Sequence, residues 1–334
     1  MGGRTKVKEL DRKRRSYRIW TPEEITRLRE IFPTTSNLRE LGTYFPTRTL
    51  DSVHNACKMR GLYRTAQMTK DSLFSRPQSL IRKSWEAIPK YDQFERLVGD
   101  YAISSDWHIS KLDPRMLSLK AKIAKKHGIT KAIIVGDVFD QDEFSHWSIA
   151  GLQPKDVQFG DELIYAAQAF EDALIAFPDG IWITSGNHDE RILRLLRFAL
   201  ELSDVFSLIG RRMAEGLRRQ FEQKVKVSSY PFCTINGTWY ACHPSTYSKI
   251  PCAVARDVAE TEHMNTIMAG GHIWGLSKEK SGKFYCVDLG IMADPLKVFY
   301  KVMRVKRYPK WTQGFMMLKN GLPTLYDRNM AENC

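Results

Sequence analysis

Five short apolar runs in this chain each end in a residue able to bind a cation or move a proton. YAISS leads into Asp106-Trp107-His108, and KAIIV into Gly136-Asp137-Val138-Phe139-Asp140. IWITS leads into Gly186-Asn187-His188-Asp189, TWYAC into His243, and TIMA into Gly270-Gly271-His272. A single histidine after an apolar run reads more readily as a hydrogen-bonded core residue than as a ligand. Five such endings in one chain point instead to a shared centre. Carboxylate, amide and imidazole groups in this mixture suit a pair of borderline divalent ions such as manganese, iron or zinc. Two positions after His272, where a second imidazole would stand, the chain has Trp274, which cannot bind a metal.

The elements that must position these residues alternate. Strands are expected at YAISS, KAIIV, IWITS, TWYAC, TIMA and KFYCVDL. Helices are expected from Met116 to His127 and over 161–177, 190–202 and 208–223. Such alternation predicts an α/β layered domain over residues 98–334. Ligands enter open α/β sheets at the carboxyl ends of strands, which would bring the five endings to one place. FMMLKNGLPTLY reads as a hairpin turning at Asn320-Gly321.

The succession D-x-H, GDxxD, GNHD, H, GH resembles the calcineurin-like metallophosphoesterases over residues 99–292. The resemblance implies a β-sandwich of two mixed sheets flanked by helices, and two divalent metal ions, manganese first, with iron or zinc as alternatives. Carried over position by position, it makes Asp106 and His108 ligands of the first metal and Asp137 the bridge. Asn187, His243 and His272 become ligands of the second. His188 becomes the unliganded histidine that touches the phosphate and assists the leaving group, with Asp189 orienting it. Asp140 would stand behind the ligands; for both Asp189 and Asp140 a purely structural role is the alternative. Members of the family usually carry GHxH, so Trp274 is a departure that leaves the first metal with Asp106, His108 and Asp137. Three ligands plus water still make a catalytic site. Paired cations about 3.5–4 Å apart clamp a phosphate and acidify a bridging water. A protonated imidazole can then donate to the departing oxygen. GNHDERILRLL and GDVFDQDEFSHW look like the form this family takes in phage-encoded members.

The amino-terminal part has another character. Residues 1–90 hold 20 Lys and Arg against 9 Asp and Glu, a net of +11, whereas the rest of the chain is +2. Concentrated basic charge on a near-neutral body suggests a polyanion partner, with a solvated basic tail as the plainer reading. Residues 1–16 read as a basic arm and 66–97 as a linker and lead-in. Between them, WTPEEITRLREIF opens a helix with Thr21 as N-cap, Pro22 at the first position and Glu24 closing a capping box. TSNLRELGTYF makes a second helix capped by Ser36 or Asn37, and LDSVHNACKMR a third, stopped by Gly61. Trp20, Leu28, Ile31, Leu38, Leu41, Val53, Ala56 and Leu62 would fill a shared core. Three short helices with a tight turn before a basic third make a helix-turn-helix unit. Over residues 17–65 it resembles the Myb-like modules of DNA-binding proteins and phage endonucleases. That resemblance implies a DNA partner read by Arg48, Ser52, Asn55, Lys58 and Arg60.

From Pro295 to Tyr326 there are seven basic residues and no acidic one, interleaved with Phe299, Tyr300, Tyr308, Trp311 and Phe315. That pattern suits a single-strand binding surface, or an edge hairpin protected by lysines. No run of about 18 apolar residues exists to span a membrane. The amino terminus lacks the apolar stretch of a secretory signal, and the six cysteines form no CxxC pair. These features predict a cytoplasmic protein. The sequence thus predicts a two-metal phosphodiesterase that acts on DNA. Its alternatives are a phosphomonoesterase or nucleotide hydrolase of the same fold, and a DNA-binding protein whose phosphoesterase domain has lost turnover.

Overall fold

The structure is a computed structural model that describes residues 20–35, 37–60, 62, 91–149, 157–298, 302 and 311–334. The basic arm 1–16, Gly61 and residues 66–90 of the expected linker lie outside the described residues. The chain divides into two compact units, Met1–Pro89 and Lys90–Cys334.

The first unit contains α1 (Pro22–Ile31), α2 (Leu38–Thr43) and α3 (Leu50–Met59). Thr21 accepts the Glu24 amide through Oγ1 at 3.3 Å, and Glu24 Oε2 accepts the Thr21 amide at 2.9 Å, completing the expected capping box. Asn37 caps α2 and Thr49 caps α3. Leu28, Leu41, Phe45, Val53, Ala56 and Cys57 form the core, with Trp20, Ile31, Phe32, Leu38 and Leu62 packed on it. All eight residues expected there are present; Phe45, Cys57 and Phe32 complete it. A core this small leaves little margin, since each buried Leu contributes about 1.5–3 kcal/mol.

The second unit is built on two six-stranded mixed sheets. Its strands are β1 (Arg96–Leu97), β2 (Tyr101–Ser104), β3 (Lys131–Val135), β4 (Gly180–Thr184), β5 (Val225–Val227) and β6 (Phe232–Ile235). They continue as β7 (Trp239–Cys242), β8 (Asn265–Met268), β9 (Trp274–Lys278), β10 (Tyr285–Leu289), β11 (Gly314–Lys319) and β12 (Leu322–Asp327). One sheet runs β12-β11-β2-β3-β4-β5 and the other β1-β6-β7-β8-β10-β9. β2 through β5 are mutually parallel, as are β7, β8 and β10.

Alternation along the strands makes the layers. Ile133 and Val135 of β3 face a core shared with Trp239, Ile267, Val287 and Met316, drawn from both sheets. Ala132 and Ile134 face the other way, toward helices that contribute Met116, Ile123, Phe170, Phe206 and Phe221. On the far face of the second sheet, Met268 and Cys286 pack against Ala255 and Ala259 of the helix Ala253–Glu262. The layers are therefore helix, sheet, sheet, helix, as the resemblance implied. The unit begins earlier than residue 98, because Arg96 and Leu97 pair in parallel with Thr234 and Ile235.

The expected helix at 190–202 is shorter. It is helical only over Arg191–Leu195, because Arg197 and Phe198 take φ values of 52° and 56° that no α-helix admits. A new helix starts at Leu202 behind a reciprocal Glu201–Asp204 cap and ends at Gly210. Another runs from Glu215 to Lys224, so the expected 208–223 helix is divided by the turn between them. The hairpin at Asn320-Gly321 is present, both residues at positive φ (51° and 77°), and β12 forms the sheet edge.

Candidate metal centre

β2, β3 and β4 are adjacent in one sheet, and β7 and β8 are adjacent in the other. Parallel pairing brings their carboxyl ends to one side, and the five endings meet there. The backbone turns sharply at the meeting point. Asp106, His108, Asp137 and His272 all take left-handed conformations, with φ between 40° and 54°. Four non-glycine residues in this region mark a site where folding elsewhere sustains local strain.

Two motif glycines are required by close approach. A Cβ on Gly136 would come within 2.6 Å of the His243 ring and 2.9 Å of the Gly186 Cα. One on Gly186 would meet the Asp137 backbone nitrogen at 2.2 Å. The glycines before Asp137 and Asn187 thus let the loops of β3 and β4 close on each other and on His243.

Among the described residues, three groups of side chains offer ligand atoms within 4.8 Å of one another: Asp106, His108 and His272; His108, Asp137 and His188; Asp106, Asp137 and His243. His272 Nε2 is 3.0 Å from Asp106 Oδ1. His243 Nε2 lies 3.2 Å from Asp137 Oδ2 and 3.7 Å from Asp106 Oδ1. Asp106 Oδ2 accepts the Gly270 amide at 3.1 Å, and Asp137 Oδ1 accepts the His188 amide at 2.9 Å. Burial opposes charge on both aspartates, yet the facing imidazoles hold their carboxyls well below the usual range. The same carboxylates raise His243 against the effect of its burial.

The grouping of His272 differs from the expectation that paired it with Asn187 and His243. With its carbonyl held by the Thr312 amide at 3.0 Å, His272 stands beside Asp106 and His108. Asn187, on the same turn as His188, is exposed. Trp274 itself opens β9 opposite Leu289 and packs on the core between the sheets. A Cβ on Gly314 would meet its Cδ1 at 2.5 Å. Trp311, distant in sequence, instead sets its ring edge-on to His272 with centroids 4.3 Å apart.

The residues fit divalent cations. Both ring nitrogens of His108, both of His243 and Oδ1 of Asp106 are buried with no hydrogen-bond partner. Buried polar atoms normally find partners. Hard carboxylate oxygens beside imidazole nitrogens make a donor set that suits divalent cations.

His188 is oriented by Asp140 rather than by Asp189. Its Nδ1 is 3.0 Å from Asp140 Oδ1 and 3.2 Å from the Asp140 carbonyl, both acceptors, so Nδ1 carries the hydrogen. Asp189 is fully buried, and its carboxylate accepts the amides of Phe139 at 2.9 Å and Gly186 at 3.0 Å. It therefore fixes backbone, not the imidazole. Asp140 is in turn gripped by Lys111, whose Nζ also donates to Asp142 at 2.6 Å. Burial of His188, with the Arg191 and His108 charges, holds its pKa well below the usual imidazole value. Sequence reasoning passed over Arg191, Lys111 and Glu162. Glu162, from the helix Phe159–Ala176, accepts the amides of Asp140 and Gln141.

Of the five expected DNA contacts, three are engaged within their own unit. Arg48 stacks over Trp20 at 4.8 Å and donates through Nε to Glu24 at 3.1 Å, with its side chain 4% exposed. Ser52 accepts the Trp20 indole hydrogen at 3.3 Å, and Arg60 donates to the Ala56 carbonyl at 3.1 Å. Asn55 and Lys58 are exposed, on a face of α3 shared with Asp51 and His54. The expected basic, aromatic carboxyl-terminal surface also changes. Trp311 and Phe315 are buried and cannot stack on bases, and 299–301 and 303–310 lie outside the described residues. Among the described residues no helix is long and apolar enough to cross a membrane.

No family model and no curated relative matches the chain. Several solved structures are similar to part of the chain at low identity. One is described as a novel archaeal phosphodiesterase (11% identity, 68% of this chain and 99% of that one, TM-score 0.35). Another is Yfce, a phosphoesterase from E. coli (10%, 67% and 91%, TM-score 0.33). A third is the Pseudomonas putida nuclease MPE (10%, 68% and 87%, TM-score 0.30).

Proposed function

We propose that this chain is a divalent-metal-dependent phosphodiesterase that acts on DNA. The observation that carries the proposal is the set of open, buried donor atoms on Asp106, His108 and His243, beside His272 and Asp137. Asp106, His108 and His272 would hold one cation; Asp137 and His243, together with Asp106, would hold the other. Such cations, when bound, polarise a phosphoryl oxygen and stabilise the charge that develops on it.

The chain's own residues then divide the remaining work. Asp140 fixes the Nδ1 hydrogen of His188 and leaves Nε2 as the reacting position; Nε2 first takes a proton from solvent, the imidazolium being balanced by Asp140, and then gives it to the leaving oxygen. Lys111 neutralises Asp140 and Asp142, and Glu162 holds the backbone on which both stand. The loop glycines keep the loops of β3 and β4 close to each other and to His243.

DNA as the substrate is supported by charge. The net +11 of residues 1–90 is the electrostatic footprint of a polyanion partner. The engagement of Arg48 and Ser52 within the helical unit shifts the weight of that attraction to the basic arm. The test is incubation of purified protein with manganese and labelled linear, circular and single-stranded DNA, beside a chromogenic monoester and diester. Cleavage of DNA and of the diester is expected. Turnover of the monoester alone would make the protein a phosphomonoesterase, and tight DNA binding with no turnover would make it a DNA-binding protein.

A further inference from the structure

Among the described residues, Arg191 is a strong cation whose second terminal nitrogen faces no carboxylate. Its Nη1 is anchored, donating to the Asp140 carbonyl at 2.7 Å and to Asp142 Oδ1 at 3.2 Å. Its Nη2 lies 3.0 Å from His188 Nε2. Since His188 Nδ1 carries the ring hydrogen, Nε2 presents a lone pair, and Arg191 donates to it. A neutral imidazole is a weak partner for a guanidinium, whose fork is shaped for carboxylate or phosphate oxygens.

The surroundings make the orientation significant. Asp140 and Asp142 are both already paired with Lys111, so these two carboxylates are shared by two cations. The Arg191 side chain is 19% exposed, enough to be reached by a ligand, yet its anchor at Nη1 keeps it from swinging into solvent. The imidazole it touches belongs with His108 and Asp137 to one group of the metal centre, and its ring lies 4.6 Å from that of His108. The free donors of Nη2 therefore stand at the border of the centre, one hydrogen bond away from it.

We propose that Arg191 is the phosphate clamp of this site. In the free protein Nη2 caps His188 Nε2. When a phosphoryl group enters, Nη2 donates instead to one of its non-bridging oxygens, and His188 Nε2 is released toward the substrate. The clamp sets a preference for substrates with an anionic oxygen on the His188 side. Its position follows from the short helix Arg191–Leu195, whose first residue lies three beyond His188. The inference rests on the phosphoesterase reading above and adds to it the residue that binds the reacting group.

Inorganic phosphate is the direct probe, because its binding is read without turnover. Isothermal titration of phosphate into the manganese-loaded protein is compared for wild type, Arg191→Gln and Arg191→Lys, and repeated on metal-free protein. Arg191→Gln is expected to weaken phosphate binding about tenfold or more, the worth of one charge-assisted hydrogen bond. Arg191→Lys, a point charge with shorter reach, should recover part of the loss, and manganese affinity should be the same in all three. Comparable melting temperatures before phosphate is added show that the fold is intact; if Arg191→Gln melts early, Arg191→Lys, which keeps the charge beside Asp142, carries the comparison. Phosphate affinity within twofold of wild type in the variants would overturn the proposal, as would a wild type that binds no phosphate with or without metal. Phosphate binding that depends on Arg191 in a protein that hydrolyses no ester would leave the clamp standing and refute the phosphodiesterase.

Discussion

His188 Nδ1 lies 3.0 Å from Asp140 Oδ1, although Asp189 is its neighbour in the chain. Asp140 takes the orienting role that the resemblance gave to Asp189, and Asp189 takes the purely structural alternative. Asp140 reaches the imidazole from the loop after β3, and Asp189 turns inward to the amides of Phe139 and Gly186.

Their substitutions should therefore separate. His188→Ala should cost about 10²–10⁴-fold in diester turnover with metal still bound. Asp140→Asn should lower turnover and shift its pH profile, because the amide no longer fixes the Nδ1 hydrogen. Asp189→Asn should instead lower stability by about 1–3 kcal/mol, since a buried acceptor of two amides is weakened. Steady-state kinetics beside urea melts distinguish them, and a Asp189→Asn protein of normal stability but lost turnover would reverse the assignment.

Trp274 and His272 give the second contrast. Trp274→His should leave manganese affinity unchanged and destabilise the unit by less than the roughly 3–5 kcal/mol of truncating a buried aromatic to Ala, since the indole is half-buried and the imidazole refills part of its space. His272→Ala should weaken manganese binding, because His272 stands with Asp106 and His108. Titration calorimetry on both variants decides it; tighter metal binding by Trp274→His would show that the indole had displaced a ligand.

Lys120 offers a test outside the centre. It is fully buried, its Nζ donates to Ser104 at 2.7 Å, and burial lowers its pKa to about 7. The unfolded chain binds this proton up to pH near 10.5, the folded chain only up to about 7. Between those values the unfolded state holds more protons, so stability rises with pH across that window. Lys120→Met removes the penalty and should stabilise the protein below pH 7, by up to about 5 kcal/mol on the scale of 1.36 kcal/mol per unit. The gain should vanish as pH approaches 10.5. Urea midpoints at pH 6 and pH 10 that differ equally from wild type would contradict it.

Deleting residues 1–65 should weaken duplex DNA binding and flatten its salt dependence, which runs near −0.9 per neutralised phosphate. Arg48→Ala should lower the stability of the helical unit, because it breaks the pairing with Glu24 and Trp20. Lys58→Ala should cost no more than about one phosphate contact. Salt titrations of the whole and truncated chains check this; equal slopes would remove the amino-terminal unit from docking.

Much of the centre was legible because its chemistry is local. Asp106, His108, Asp137, His243 and His272 each follow an apolar strand, and strands of parallel sheets end together. The helix-sheet-sheet-helix layering followed from the resemblance those motifs carry. What sequence could not carry was direction. Whether His272 joins Asp106 or Asn187 depends on a left-handed backbone and on Thr312, forty positions away. RILRLLRFALEL reads as a continuous amphipathic helix, yet Arg197 and Phe198 break it with a backbone geometry their residue types do not announce. The basic residue Arg48 looked like a reader of DNA because its pairing with Glu24 spans two helices.

The central claim is that Asp137 and the strand-end residues around it hold the cations that turnover needs. Metal content and diester hydrolysis measured on the same samples test it most directly, for wild type and Asp137→Asn, before and after chelation and manganese return. The account predicts bound manganese and turnover in wild type, loss of both on chelation, recovery on return, and neither in Asp137→Asn. Hydrolysis that survives chelation, or that persists in Asp137→Asn, would contradict it.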